Sequence, residues 1–279
     1  MEINLFDGLF DHSKNEDGFY TCSMGREPQE VTWVRRNMVW GGVTVFTDSH
    51  FMSPIVDEVV SKYKIAWLLE SKAITPNAYN DIVRFEDKFD FILTHDETLL
   101  NRSDKYVKCI VGASRVPDSE WGTPLKTKLL SMIASNKRMS DGHRFRHEIS
   151  NTLGEKHNID MWGSGYKRFD SKVTPLKDYA YSVCVINTKV NNYFTEILVD
   201  PISLGCVPIL WGCPNIGEYF NPNGIITFNT INELDDILHN ISFDDYNSRI
   251  EAVKENIEKA KEMKSTDDYI SRIIKKITN

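Results

Sequence analysis

No stretch of the chain approaches the run of about 18 apolar residues that a membrane-spanning helix needs. The opening residues have neither a basic start nor an apolar core of signal-peptide length, which predicts a cytoplasmic protein with no membrane partner. Cysteine is scarce and unpatterned. There are 5, an odd number, with no C-x-x-C pair, which argues against a disulfide framework or a zinc ribbon. Cys109, Cys184 and Cys206 sit inside apolar runs and read as buried thiols of a reducing compartment. The 15 glycines and 10 prolines follow no period, so collagen-like and low-complexity classes are excluded. Positive charge is also in deficit, with 33 Lys and Arg against 40 Asp and Glu, a net of -7. A chain of that balance is a poor bulk electrostatic binder of nucleic acid, although a local basic cleft stays open.

What is present is an ordinary globular composition, 41% hydrophobic and 26% charged over 279 residues. That is enough chain for roughly two domains and for cores that need no metal or disulfide. Short apolar runs alternate with helix-like segments, the pattern of an α/β protein. The runs at 42–46, 64–69, 89–94, 106–111, 129–134, 159–162, 182–186 and 207–210 read as buried parallel strands. Segments 54–63, 142–157, 193–204, 231–240 and 244–277 read as helices, the last broken at Ser265-Thr266-Asp267-Asp268, which offers N-caps for a separate final helix. The polar, proline-bearing stretch 116–128 marks a boundary. The expected organisation is a first domain over 1–122, a second over 123–262, and a C-terminal helix over 263–279 that packs back on the first.

Charge is segregated. Six fixed cations (Lys126, Lys128, Lys137, Arg138, Arg144 and Arg146) stand against Asp141 alone between 126 and 147, at a strand end running into a helix start. Such a junction offers backbone N–H groups and arginines to an anionic diphosphate. Between 229 and 268 eleven acids outnumber five bases, and this reads as a solvated helical face.

The most informative stretch is 193–223, YFTEILVDPISLGCVPILWGCPNIGEYFNPN. It reads as a helix, a glycine turn, a buried strand and a tight Gly/Pro turn. Ligands of open α/β sheets bind beyond the carboxyl ends of strands, which places Tyr193, Glu196 and Gly212 near a ligand by topology. The segment resembles the donor-binding signature of family 10 glycosyltransferases, the α-1,3-fucosyltransferase family. Tyr193, Thr195, Glu196, Gly205, Val207, Pro208, Ile209, Trp211, Gly212, Phe220, Asn221 and Pro222 match it. Ser135-Asn136 followed by Arg146 and Leu153 is similar to an upstream segment of that family. Trp67-Leu68-Leu69-Glu70-Ser71 with Pro76-Asn77 is similar to a strand-end region in its first half. The resemblance spans about 65–230. Two positions depart from it: Ile197 stands where the family has Lys, and Ile186 where it has an acid before Asn187.

The resemblance implies two Rossmann-like domains facing a cleft, the GT-B type. It implies an inverting, metal-independent transfer of a sugar from a nucleoside-diphosphate sugar to a hydroxyl acceptor, with no cofactor. Glu70 then inherits the role of base. Arg146 inherits the donor diphosphate, with Arg144 its competitor for register. Tyr193, Thr195, Glu196, Asn187 and Gly212 complete the donor side. His50, Arg35 and Arg36 are acceptor-side candidates, the arginines in a basic-aromatic patch with Trp33 and Trp40. The chain has no D-x-D, the usual metal–diphosphate device. His143 and His147 have metal-ligand spacing on one helix face but no third ligand.

Each of these has a plainer alternative: Glu70 solvated, Arg146 an exposed helix arginine, Glu196 a helix-dipole carboxylate, Tyr193 a packing aromatic, His50 a turn histidine. Because Ile197 removes a cation, the donor is expected to be UDP- or GDP-linked, with a UDP-sugar ahead of GDP-fucose. The acceptor is a glycan or a modified DNA base. In the second case the chain is a phage-type transferase acting on hydroxymethylated DNA, with Arg35, Arg36, Arg102, Lys105, Lys108 and Arg115 for phosphate contacts. A non-catalytic nucleotide-sugar binder is the reading of a different class.

Overall fold

The computed structural model describes residues 1–8, 18–23 and 25–279. The chain divides into two compact units, Met1–Val111 with Ser265–Asn279, and Gly112–Lys264. The division thus falls eleven residues before the expected boundary at 122, and the segment 112–122, with Arg115, lies in the second unit.

The first unit is built on an all-parallel sheet, ordered β2-β1-β3-β4-β5-β6 among the described residues. The strands are β1 (Glu2–Phe6), β2 (Thr32–Arg35), β3 (Val39–Thr47), β4 (Val60–Trp67), β5 (Phe91–Thr94) and β6 (Tyr106–Lys108). Alternation of side chains sorts the strands into two faces. Ile3, Leu5, Val45, Ile65, Trp67 and Leu93 turn to one face, where Ile270 and Ile274 of helix α9 (Thr266–Thr278) cover them. Phe6, Phe46, Ala66 and Ile92 turn to the other, against Tyr79 and Ile82 of α2 (Pro76–Phe85). The expected helix over 54–63 is a correction: only α1 (Ile55–Glu58) is helical, and Val60 already pairs with Val39. Val59 and Val60 are β-branched, and a long ladder with β3 outweighs four residues of helical periodicity. Strands β1 and β2 and helix α2 were not among the sequence expectations.

The second unit has a parallel sheet of order β11-β10-β9-β7-β8. Its strands are β7 (Lys128–Ile133), β8 (Asp160–Trp162), β9 (Tyr179–Val185), β10 (Val207–Trp211) and β11 (Ile226–Thr227). The central β9 is buried along its whole length, as expected of a strand covered on both faces. Helix α3 (Glu97–Leu100) belongs to the first unit. Helices α4 (Asp141–Leu153) and α5 (Glu196–Ser203) follow β7 and β9 and start at the carboxyl edge of the second sheet. Helices α6 (Ile231–Asn240), α7 (Phe243–Ser248) and α8 (Ile250–Lys261) follow β11.

Helix α4 starts within a residue of its expected position, whereas α5 starts at Glu196 rather than at the expected Tyr193. Ser140 caps α4 by accepting from His143 N, and Thr195 caps α5 by accepting from Ile197 N. Close backbone approach then fixes the edge. A Cβ on Gly142 would lie 1.8 Å from Ile186 O, so only glycine lets α4 meet the end of β9. A Cβ on Gly212 would lie 2.4 Å from Ile186 Cγ1. Ile186, fully buried, is the apolar plug between these two glycines.

Candidate active site

At the carboxyl edge of the second sheet lies a pocket of about 290 Å³, lined by residues of this unit alone. Arg115, Lys137, Arg146 and Lys172 bring positive charge to it, and Glu196 and Asp200 bring negative charge. Ser135, Ser182 and Asn187 add polar surface, and Ile197 adds apolar surface.

Arg146, only 5% exposed, stands on α4 and reaches the end of β9. Its Nε and Nη2 donate to Val185 O at 2.9 and 2.5 Å, and Nη2 donates to Asn187 Oδ1 at 3.0 Å. Burial pulls its proton affinity down to about 10, against the upward pull of Glu196, and it stays a cation at neutral pH. The guanidinium is thus both a clamp on the sheet edge and part of the pocket wall. Arg144, its competitor, is exposed, pairs with Asp141, and does not line the pocket. The helical repeat explains the difference, because positions two apart point to different faces.

Glu196 stands in the first turn of α5, its Oε1 3.4 Å from Arg115 Nη2. One turn on, Asp200 is almost wholly buried. Its Oδ1 accepts from Ser114 Oγ at 3.0 Å and Arg115 N at 2.7 Å, and its Oδ2 lies 3.7 Å from Lys172 Nζ. Burial pushes the Asp200 carboxyl up to about 6, opposed by Lys172.

Three of the expected donor-side residues lie outside the lining of this pocket. Tyr193 is 1% exposed and packs inside the unit rather than lining the pocket. Thr195 spends its hydroxyl on the α5 cap. Gly212 provides room for Ile186, and it too does not line the pocket. His143 Nδ1 meets Ser140 Oγ at 2.7 Å, and His147 Nε2 meets Lys137 O at 3.1 Å. Burial lowers the His143 proton affinity to about 4, so it is neutral at pH 7. A His157–Asp235–His239 group elsewhere in the unit has its carboxylate engaged by His157 and Lys156, both at 2.6 Å.

In the first unit a second polar cluster gathers at the carboxyl edge of the sheet. Asp48 and His50 follow β3, Glu70 follows β4, and His95 follows β5. Asp48 Oδ1 accepts from Leu69 N at 3.1 Å and Glu70 N at 3.3 Å, so a side chain from one strand end holds the loop of the next. Tyr79 donates to Glu70 O at 2.6 Å. The Glu70 side chain is half-buried rather than fully solvated. Burial raises the Asp48 carboxyl to about 7, and the nearby Glu70 charge adds to the rise. Thr47 Oγ1, Asp48 Oδ2 and Ser71 Oγ are buried here without a hydrogen-bond partner among the described residues. Such atoms are rare away from functional sites.

The expected basic-aromatic patch loses Trp33 to the core, while Arg35 stacks over the Tyr20 ring at 4.9 Å. Trp33 is buried, and its Nε1 donates to Asp267 at 2.7 Å. Arg35 pairs with Asp7 at 2.7 Å, and Arg36 donates to Asp7 O at 3.2 Å. Sequence reasoning missed Arg115, Lys172 and Asp200 as pocket residues. Asp200 was legible, one helical turn after Glu196. Lys172 was not, because it lies in an aperiodic loop before β9.

Residues 123–252 match the model of glycosyltransferase family 10 (fucosyltransferase) C-term. The α-(1,3)-fucosyltransferase FucT of Helicobacter pylori is 26% identical over 125 residues, 43% of this chain and 25% of that protein. The chain therefore matches about a quarter of the length of this curated relative. A crystal structure of an α1,3-fucosyltransferase with GDP-fucose aligns over 100% of this chain and 90% of its own, at TM-score 0.60 and 16% identity. A structure of an α-glucosyltransferase in complex with UDP-glucose and DNA containing an abasic site aligns over 100% and 99%, at TM-score 0.62 and 9% identity. These likenesses establish two parallel-sheet α/β units of the GT-B type, and the second unit is family 10 fucosyltransferase-like.

Proposed function

We propose, from a second unit that matches the family 10 glycosyltransferase model over residues 123–252, a glycosyltransferase that moves a sugar from a nucleoside-diphosphate sugar to a hydroxyl acceptor, with inversion and without a metal ion. The observation that carries this reading is the pocket on the second sheet, where Arg115, Lys137, Arg146 and Lys172 converge beside the α5 N-terminus. As the bond from the sugar to the β-phosphate breaks, negative charge grows on the departing diphosphate. Fixed cations and helix N–H groups stabilise that charge more than they stabilise the intact donor. Glu196, paired to Arg115, is placed for a ribose or sugar hydroxyl. The first unit supplies Glu70 as the base that takes the acceptor proton, and attack opposite the leaving group inverts the carbon. The cytoplasm is the compartment this reading favours.

Ile197 puts an apolar side chain on the pocket wall, which favours a UDP-sugar over GDP-fucose. The test is a panel of UDP-, GDP-, CMP- and dTDP-sugars with release of the nucleotide as readout. One UDP-sugar should be turned over, EDTA should leave the rate intact, and Glu70→Gln should lower kcat by about 10²–10⁴ with donor affinity nearly unchanged. Transfer from GDP-fucose at ordinary rates would refute the donor assignment. Activity within a few-fold of wild type in Glu70→Gln would refute the base.

A second reading takes hydroxymethylated DNA as acceptor, supported by full-length alignment with the DNA-bound α-glucosyltransferase. The expected phosphate contacts are depleted, since Arg35 pairs with Asp7, Arg102 with Glu86 and Arg115 with Glu196. DNA binding that falls steeply with salt would favour this reading over a glycan acceptor. The non-catalytic binder, motivated by Ile186 and Ile197, requires donor binding with no turnover of any sugar in the panel.

A further inference from the structure

The four cations of the second-unit pocket differ in what already holds them. Arg146 gives its hydrogen bonds to Val185 O and Asn187 Oδ1. Arg115 lies against Glu196. Lys137 is exposed at the rim. Lys172 is different. Its side chain is 13% exposed, and its nearest charge partner, Asp200 Oδ2, is 3.7 Å away, beyond hydrogen-bond reach. The face of the Phe169 ring lies 5.9 Å from the same nitrogen. Asp200 is held by Ser114 and Arg115 through Oδ1, while its Oδ2 accepts no hydrogen bond among the described residues. An ammonium drawn this far out of water, with three N–H donors and no acceptor among the described residues, is suited to an oxygen-rich anion. Ile197, on the first turn of α5, lines the same pocket and offers no charge.

We infer that Lys172 is a diphosphate-binding cation of this pocket, delivered by the loop before β9 and positioned by the buried carboxylate of Asp200. The inference rests on the donor-site reading above and adds to it a residue and a division of labour. Arg146 is anchored to the sheet and acts as a fixed wall charge. Lys172 is a compact point charge on a flexible stem, and it can leave Asp200 for the outer phosphate without breaking a hydrogen bond.

The probes are UDP and GDP against UMP and GMP, measured by calorimetry on the full chain. Wild type should bind at least one diphosphate more tightly than the matching monophosphate. Lys172→Met, which keeps the apolar stem, should weaken that diphosphate at least tenfold and leave the monophosphate within about twofold. Lys172→Arg should hold the diphosphate within about threefold of wild type. Asp200→Asn should also narrow the gap between di- and monophosphate, through loss of positioning. An equal loss for both nucleotides in Lys172→Met, or no loss, overturns the assignment and leaves the donor pocket standing. A wild type that binds none of the four overturns the donor-site reading itself, and the inference with it.

Discussion

Arg146 performs two tasks with one guanidinium, and a substitution removes both. Arg146→Ala should weaken nucleoside-diphosphate binding by about 1.5–3 kcal/mol through loss of a charge-assisted contact. It should also lower stability, because Val185 O and Asn187 Oδ1 lose their donors. Arg144→Ala, on the exposed face and paired with Asp141 and Arg138 O, should change neither measurably. Calorimetry paired with denaturant unfolding separates the two effects, and a binding loss confined to Arg144→Ala would contradict the register. Asp48 makes a different prediction. Its folded-state proton affinity lies above the unfolded value, so the native state holds a proton that the unfolded chain releases near pH 4. Stability from this group is present below about pH 4 and is lost as pH rises through about 7. Asp48→Asn keeps an acceptor for Leu69 and Glu70 N–H but removes the titration. Unfolding measured across pH 4–8 should show wild type losing about 2–4 kcal/mol more than Asp48→Asn over that interval. Parallel curves would assign the slope to another group.

Helix α9 is held at its start by a carboxylate. Asp267 is fully buried and accepts from Trp33 Nε1, Thr21 Oγ1, Ser23 N and Oγ, and Cys22 N. Removing it leaves several buried donors unmet. Asp267→Ala should destabilise the first unit by about 3–4 kcal/mol in denaturant titration, and a loss below about 1 kcal/mol would show that water replaces the carboxylate. The break at 265–268 was legible because Ser265 is an N-cap residue with acids behind it, and Ser265 does accept from Asp268 N. The start of α5 falls at Glu196 instead of the expected Tyr193, because Thr195 serves as the N-cap. The depth of Trp33 was not, since its partner lies 234 residues away and no local pattern encodes that pairing. Helix α2 starts at Pro76, where proline at N1 is itself a helix-start signal. Strand β1 is short, and only its later pairing with both β2 and β3 gives it a place. On the donor side the residue types were readable from the 193–223 stretch, but which of them face the pocket depended on the Ile186 backbone lying against Gly142 and its side chain against Gly212.

At the scale of the molecule, the alternation of short strands and helices conveyed the α/β class, while strand order is set by non-local pairing. The order β2-β1-β3 in the first unit inserts β1 between two later strands. The acidic tail expected to be a solvated face is largely that, with Lys254–Glu251, Lys259–Glu255 and Lys261–Glu258 pairs along α8. One feature governs the order in which the molecule can be made. The second unit is a continuous segment, Gly112–Lys264, whereas the first needs Ser265–Asn279 to close. During synthesis on a ribosome, Gly112–Lys264 can mature while the earlier 111 residues still expose the face that Ile270 and Ile274 will cover. The nascent first unit lacks that cover until α9 emerges, and a chain released before residue 265 should retain a protease-resistant second unit beside a digestible first one. The half expected to supply the base would thus be the last to mature, and a prematurely released chain could hold nucleotide without the means to turn it over.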